Sequence, residues 1–175
     1  NGALHFDADD GVNGRELWKT DGTAAGTVMV ADINTATGAG SDPFGFTLFN
    51  GALYFRADDG VNGRELWKTD GTAAGTVMVA NINPGGAGSG PERFTFFNGA
   101  LYFSALDGVN GTELWKTDGT AAGTVMVRDI NPTAGVGSSP FGFYFVNAVV
   151  NGALHFDADD GVNGRELWKT DGTAA

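Results

Sequence analysis

The stretch richest in side-chain oxygen is Asp7-Ala8-Asp9-Asp10-Gly11-Val12-Asn13-Gly14 with Glu16 just beyond, and it returns with Asp157, Asp159 and Asp160. Carboxylates alternating along a loop before a glycine are the ligands that calcium takes. The spacing is one residue short of the D-x-D-x-D-G loop. Two equivalent loops do not keep the set: Arg56 and Ser104 stand in place of Asp7, and Leu106 in place of Asp9. Asp10, Gly11, Asn13 and Gly14 persist in every copy, as an Asx-type turn requires. Asp7, Asp9, Asp10, Asp157, Asp159 and Asp160 are thus candidate calcium ligands in the first and last copies, and turn formers otherwise.

Four tryptophans, Trp18, Trp67, Trp115 and Trp168, hold the same place in four repeats. Such rings can stack on sugars, one site per repeat, or fill the space between repeats, since large aromatics dominate cores. Asp21-Gly22-Thr23 and its copies read as a hairpin clasp, with carboxylate and hydroxyl bonded to backbone N–H groups. Glu16 and Lys19 either pair with neighbouring repeats or face solvent. His5 and His155 are replaced by Tyr54 and Tyr102 in the other copies, which argues against a general base. Catalysis needs different groups converging on one point, whereas each acid and base here is repeated. No nucleophile with an adjacent base, HExxH or phosphate-binding loop stands out. The reading is non-enzymatic, with no cofactor beyond calcium. One sequon, Asn110-Gly111-Thr112, is as consistent with chance as with glycosylation.

Composition narrows the partners. Lys plus Arg is 10 against Asp plus Glu 21, a formal charge of −11, which repels phosphate backbones and anionic lipid. Nucleic acid is excluded on that ground, and no apolar run reaches the roughly eighteen residues of a membrane span. Cys is absent, so disulfides and thiolate metal sites are absent too. Gly 29 makes the chain turn-rich, but 42% hydrophobic content argues for folding.

These residues sit in a repeat of about fifty residues. GVNGRELWKTDGTAAGTVMV runs from Gly11 to Val30, returns from Gly60 to Val79, and again from Gly108 to Val127 with Thr112 in place of Arg. Residues 151–175 repeat residues 1–25 without a change. All three methionines lie inside repeats, so the chain reads as an excerpt, a processed piece or an engineered molecule. Within a unit, short alternating runs are bounded by Gly, Asn, Asp and Pro, which is strand and turn punctuation. The spacing predicts strands at 43–49, 52–58, 64–69 and 76–82, the first two joined by Asn50-Gly51, a two-residue hairpin signal. In the last of these, Val77 and Val79 are expected on one face and Met78 and Ile82 on the other. Asn147–Val150 reads as an insertion ahead of the fourth unit.

Four hairpin-linked strands repeated at this interval predict an all-β fold, a β-propeller built of four-stranded antiparallel blades with about 3.5 blades per chain. The segments are a partial blade (1–41), two blades (42–89 and 90–138) and a second partial blade (139–175), together one repeat domain. The aromatic-rich PFGF strand is placed at the axis and TVMV at the rim. Partial blades leave unpaired edges that invite association. The partner expected is the chain itself, as a homo-oligomer and above all a dimer, or further repeats of a longer chain, in a ring of six, seven or eight blades.

The octapeptide ELWKTDGT at Glu16, Glu65, Glu113 and Glu166 resembles the bacterial ELWxxDGT repeat family and matches it in all four copies. That resemblance implies tandem propeller-like repeats, a secreted or cell-surface location, and no assigned catalytic residue. The near-identity of the copies points to recent amplification or to design. The sequence thus reads as a structural, adhesive or protein-interaction scaffold, or alternatively as a multivalent carbohydrate-binding propeller with Trp18, Trp67, Trp115 and Trp168 as ligand platforms.

Overall fold

The computed structural model describes residues 2–140 and 149–173. The fold is all-β: fourteen strands and no helix among the described residues, arranged as four antiparallel sheets of three or four strands. The chain divides into two compact units, Asn1–Gly88 and Ser89–Ala175. The first holds a three-stranded sheet, β1 (Leu4–Asp9), β2 (Arg15–Thr20) and β3 (Val28–Ala31), and a four-stranded sheet, β4 (Phe44–Phe49), β5 (Ala52–Asp58), β6 (Arg64–Thr69) and β7 (Val77–Ala80). The second holds a four-stranded sheet, β8 (Glu92–Phe97), β9 (Ala100–Leu106), β10 (Thr112–Thr117) and β11 (Val125–Arg128), and a three-stranded one, β12 (Val149–Val150), β13 (Ala153–Asp159) and β14 (Arg165–Thr170). In every sheet the strands lie side by side in chain order, so each is a meander of hairpins.

The hairpins form where the turn chemistry allows positive φ. Asn50 (φ 48) and Gly51 (φ 80) both take it in the β4–β5 turn. The β1–β2 turn is closed by an aspartate: Asp10 Oδ1 accepts the amides of Val12 and Asn13, and Asp10 Oδ2 accepts Asn13 Nδ2. Asp59, Asp107 and Asp160 repeat that arrangement.

Two features depart from simple alternation. The pairs β2–β3, β6–β7 and β10–β11 shift register at Leu17/Trp18, Leu66/Trp67 and Leu114/Trp115, which leaves Val30, Val79 and Val127 as the extra residue of a bulge. The expected shared face of Val77 and Val79 is therefore broken: Val77 is 41% exposed and Val79 6%. The pair Val149–Val150, read as part of an insertion, instead forms the first strand of the last sheet, opposite Leu154 and Ala153. The aromatic run Phe141–Phe145, expected as that strand, lies outside the described residues.

Within each unit one core joins the two sheets. In the first unit Leu17, Val30 and Ile33 pack on Phe55, Ala57 and Trp67 of the next sheet. In the second unit the equivalent residues do the same, Leu114, Val127 and Ile130 meeting Phe156, Ala158 and Trp168.

Candidate functional site

The glutamate that opens ELWKTDGT is fully buried in three copies, Glu16, Glu65 and Glu113. A buried carboxylate persists only with its lone pairs filled. The segment after the Val-Met-Val strand (β3, β7 or β11) folds back to fill them. Glu16 Oε2 accepts the Ile33 amide (2.9 Å) and the Ser41 hydroxyl (2.6 Å), while Oε1 accepts the amides of Asn34 (3.2 Å) and Ser41 (2.9 Å). Glu113 receives the same four donors from Ile130, Asn131 and Ser138. Glu65 accepts Ile82 and Asn83 in the same way. Burial pushes the Glu113 carboxyl above its ordinary range, and the bonds from Ser138, Ile130 and Asn131 work against that rise.

This clasp sets the joint to the next sheet. The Ser41 carbonyl accepts the amide of Asp58, and Ser138 does the same for Asp159. Asn34 Oδ1 stands where a Cβ on Gly60 would lie 2.6 Å away, and Asn131 stands likewise against Gly161. A lysine makes a further link: Lys19 Nζ donates to the Gly71 carbonyl at 2.7 Å, and Lys116 Nζ to that of Gly172 at 2.6 Å. Sequence reasoning left Glu16 and Lys19 between solvent and a neighbouring repeat. Lys19 takes the neighbour, and Glu16 takes backbone amides of its own unit. The only sequence signal for that clasp is the serine that recurs as Ser41, Ser89 and Ser138.

The tryptophans are half-buried. Trp67 and Trp168 border the inter-sheet cores. The indole N–H groups of Trp18, Trp67 and Trp115 are buried without an acceptor, and that of Trp168 donates to the Ala158 carbonyl. The acidic loops hold their carboxylates apart. Asp7 pairs with Arg15 and Asp157 with Arg165, while Asp9 and Asp159 accept the amides of Gly11 and Gly161. Among the described residues no group of three or more His, Cys, Asp or Glu side chains is placed to hold a metal ion. Asn110, of the sequon, donates its side-chain amide to Asp107.

The Asp-Gly-Thr turns close on themselves. Asp21 Oδ1 accepts both the amide and the hydroxyl of Thr23, and these bonds hold its carboxyl below the usual range. Asp70 and Asp171 repeat the turn and the shift. Each of these two turns meets an aromatic of the preceding sheet. A Cβ on Gly71 would lie 3.4 Å from His5 Nε2, and one on Gly172 2.4 Å from the Tyr102 hydroxyl. Burial, and then the charge of Lys19, hold the His5 imidazole below its usual pKa. Clefts of about 480 Å³ and 410 Å³ open at the two turns, the first lined by Leu4, His5, Phe46, Leu48 and Asp70, the second by Asn98, Tyr102, Lys116 and Asp171. No tryptophan lines either of them.

No family model matches the chain, and neither does any curated protein. Among solved structures the chain is similar to a prolyl endopeptidase at 14% identity and a TM-score of 0.50, over 97% of this chain and 25% of that one. It thus spans a quarter of that protein's length, and the likeness is one of fold alone. The computationally designed Ika4 protein aligns at 13% identity and a TM-score of 0.42, over 96% of this chain and 85% of that one.

Proposed function

We propose that the chain is a non-enzymatic β-propeller repeat module of the ELWxxDGT type, a structural, adhesive or protein-interaction scaffold that closes its ring with blades from a second copy or from a longer chain. The observation that carries this reading is the recurrence of one joint. In each unit the Glu clasp, the serine carbonyl, the asparagine against glycine and the lysine against the turn carbonyl recur at equivalent residues. Sheets that join their neighbours by one repeated contact, with apolar side chains on both faces, suit stacking around an axis. The acids of the repeated motif spend their lone pairs on structural amides and hydroxyls, which suits a rigid support better than acid–base chemistry. What each repeat offers outward is the GVNG turn, whose valines, Val12, Val61, Val109 and Val162, are 68%, 75%, 69% and 87% exposed.

A glycan array on the associated protein tests the scaffold against the carbohydrate-binding alternative. The scaffold reading expects no saturable glycan binding. Saturable binding that is lost on replacing Trp18, Trp67, Trp115 and Trp168, with the fold intact, would hand the function to the alternative. Light scattering is expected to give more than the single-chain mass, and a cooperatively folded monomer at high concentration contradicts ring closure.

A further inference from the structure

In the first unit the repeats match residue for residue from Gly11–Val30 to Gly60–Val79, but beside that match the charges differ. Arg15 opens β2 and Arg64 opens β6, while Arg56 takes on β5 the place that Asp7 has on β1. Asp42 lies just before β4, and its amide donates to the Arg15 carbonyl at 3.2 Å, which ties that turn to β2. The side chains of Asp7, Arg15, Asp42, Phe44, Arg56 and Arg64 thereby line one cleft of about 220 Å³. We propose that this cleft is a binding site for a small carboxylate, its ionised acid group taken by the arginines and its apolar body by Phe44.

The class of ligand follows from the charges. Three guanidinium groups face two carboxylates in the cleft, an excess of one positive charge in a chain of formal charge −11. Asp7 pairs with Arg15, and Asp42 lies between two arginines, 3.3 Å from Arg64 Nη2 and 4.0 Å from Arg15 Nε. In about 0.1 M salt, acids more than about 10 Å away are screened, so the local excess decides which ion enters. One carboxylate neutralises it, whereas a doubly charged phosphate leaves the cleft negative. The flat fork of guanidinium donors also matches a carboxylate, in charge-assisted bonds about twice as strong as neutral ones. The Arg56 guanidinium is anchored over the Phe44 ring, 5.0 Å from its centroid, and the two residues are opposed on β4 and β5. Phe44 remains 64% exposed, an apolar wall in a charged cleft. An acid with a short aliphatic or aromatic body covers that wall; a bare ion does not.

The second unit lacks the excess. At the places of Asp7, Arg15, Asp42, Arg56 and Arg64 it carries Ser104, Thr112, Ser139, Asp157 and Arg165, one cation against one carboxylate, and those two pair with each other at 2.8 Å. The units otherwise share their turns and their joints. The charge pattern is therefore a property of this cleft and not of the repeat, and one ligand per chain is expected. The repeats also supply substitutions that the fold accepts: serine stands on β9 in the place of Arg56, and threonine on β10 in the place of Arg64.

The inference goes beyond the scaffold reading and needs no ring, since every residue of the cleft belongs to one unit. The test is a titration of the full chain with N-acetyl-leucine, followed by amide chemical shifts in about 0.1 M salt. One saturable site is expected, with shifts centred on Asp42, Phe44, Arg56 and Arg64. N-acetyl-leucinamide, which lacks the charge, and acetate, which lacks the body, should each bind about tenfold more weakly. Arg56→Ser and Arg64→Thr should each weaken N-acetyl-leucine about tenfold with the fold retained, and Phe44→Ala should weaken N-acetyl-leucine but not acetate. A dipeptide ending in leucine separates the sources of such an acid: affinity equal to that of N-acetyl-leucine admits a chain terminus, weaker affinity restricts the site to free acids, and either keeps it. No saturable binding, equal binding of acid and amide, or binding that survives both arginine substitutions overturns the inference. Light scattering judges the ring separately. A monomer that binds the acid sinks ring closure alone, and a ring that binds none sinks the carboxylate site alone.

Discussion

The first twenty-five residues and the last twenty-five are the same peptide folded into the same hairpin, β1–β2 and β13–β14, with the same residue pairing. Their side chains nevertheless trade places between core and solvent. Leu17 and Glu16 are buried where Leu167 and Glu166 are exposed, and Leu154 is buried where Leu4 is exposed. Local sequence and hairpin register are held constant, so neither sets the burial. What differs is the neighbour: β3 and its return loop lie over β2, and β12 lies beside β13. A single repeat supplies strands and turns, and the covering strand and next sheet turn them into a core.

That comparison can be broken most forcefully at the leucines. Leu17→Ala is expected to cost about 2–5 kcal/mol and Leu167→Ala less than about 0.5 kcal/mol. The comparison is read from denaturant unfolding at concentrations where copies do not associate. Equal effects would contradict the neighbour argument. Next in size is the clasp. Glu16→Ala strands four donors and should cost about 2–4 kcal/mol, against roughly zero for Glu166→Ala under the same dilute conditions.

A smaller pair isolates the joint between sheets. Gly11 and Gly60 share a positive φ, 78° and 79°, but only Gly60 has Asn34 against it, while nothing lies within 4 Å of Gly11. Alanine should therefore cost about 1 kcal/mol at Gly11 for the backbone alone, and about 1–2 kcal/mol more at Gly60. Smaller again is Arg93, a non-glycine residue at φ 61 where the second sheet has Gly45 at φ 80. Arg93→Gly is expected to stabilise by about 0.5–1 kcal/mol, seen as a raised Tm, and an unchanged or lower Tm would mean that the Arg93 bond to Ser104 outweighs the strain.

Acid gives the smallest effect, and the signs oppose. Asp21, Asp70 and Asp171 have carboxyls held below their ordinary value of 3.8, so the stability they lend is present above that pH and is lost as pH falls through the folded values. Glu113 is raised above its ordinary 4.5, so its ionisation subtracts stability as pH rises from there through the folded value. The Tm should hold level or rise slightly as pH comes down toward 4.5, then fall below 3.8. Asp21→Asn should soften the acid fall, and an unaltered profile would contradict the turn assignment.

Most of the local structure was legible in the sequence, because its causes are local. Asn50-Gly51, the Asp10 turn and the alternation in 52–58 name their own hairpins, and the all-β fold in four antiparallel sheets follows from them. The clasp was not legible, because Glu16 meets backbone amides 17 to 25 residues later and backbone carries no sequence signature. Nor were the bulges at Val30, Val79 and Val127, where an alternating run hides one extra residue. The exposure of Leu167 was not legible in RELWKT itself, which is identical around the buried Leu17. Of the candidate sites, the tryptophans went to half-buried positions beside the cores. The acidic loop went to hydrogen bonds and ion pairs of its own, and the clefts opened at turns that composition alone does not single out.

The central proposal is that such sheets stack around an axis through one repeated joint. A two-dimensional class average of the associated particle, viewed down that axis, tests it most directly. The account predicts a closed ring of evenly spaced radial sheets. An open stack, a filament or isolated pairs of sheets would contradict it.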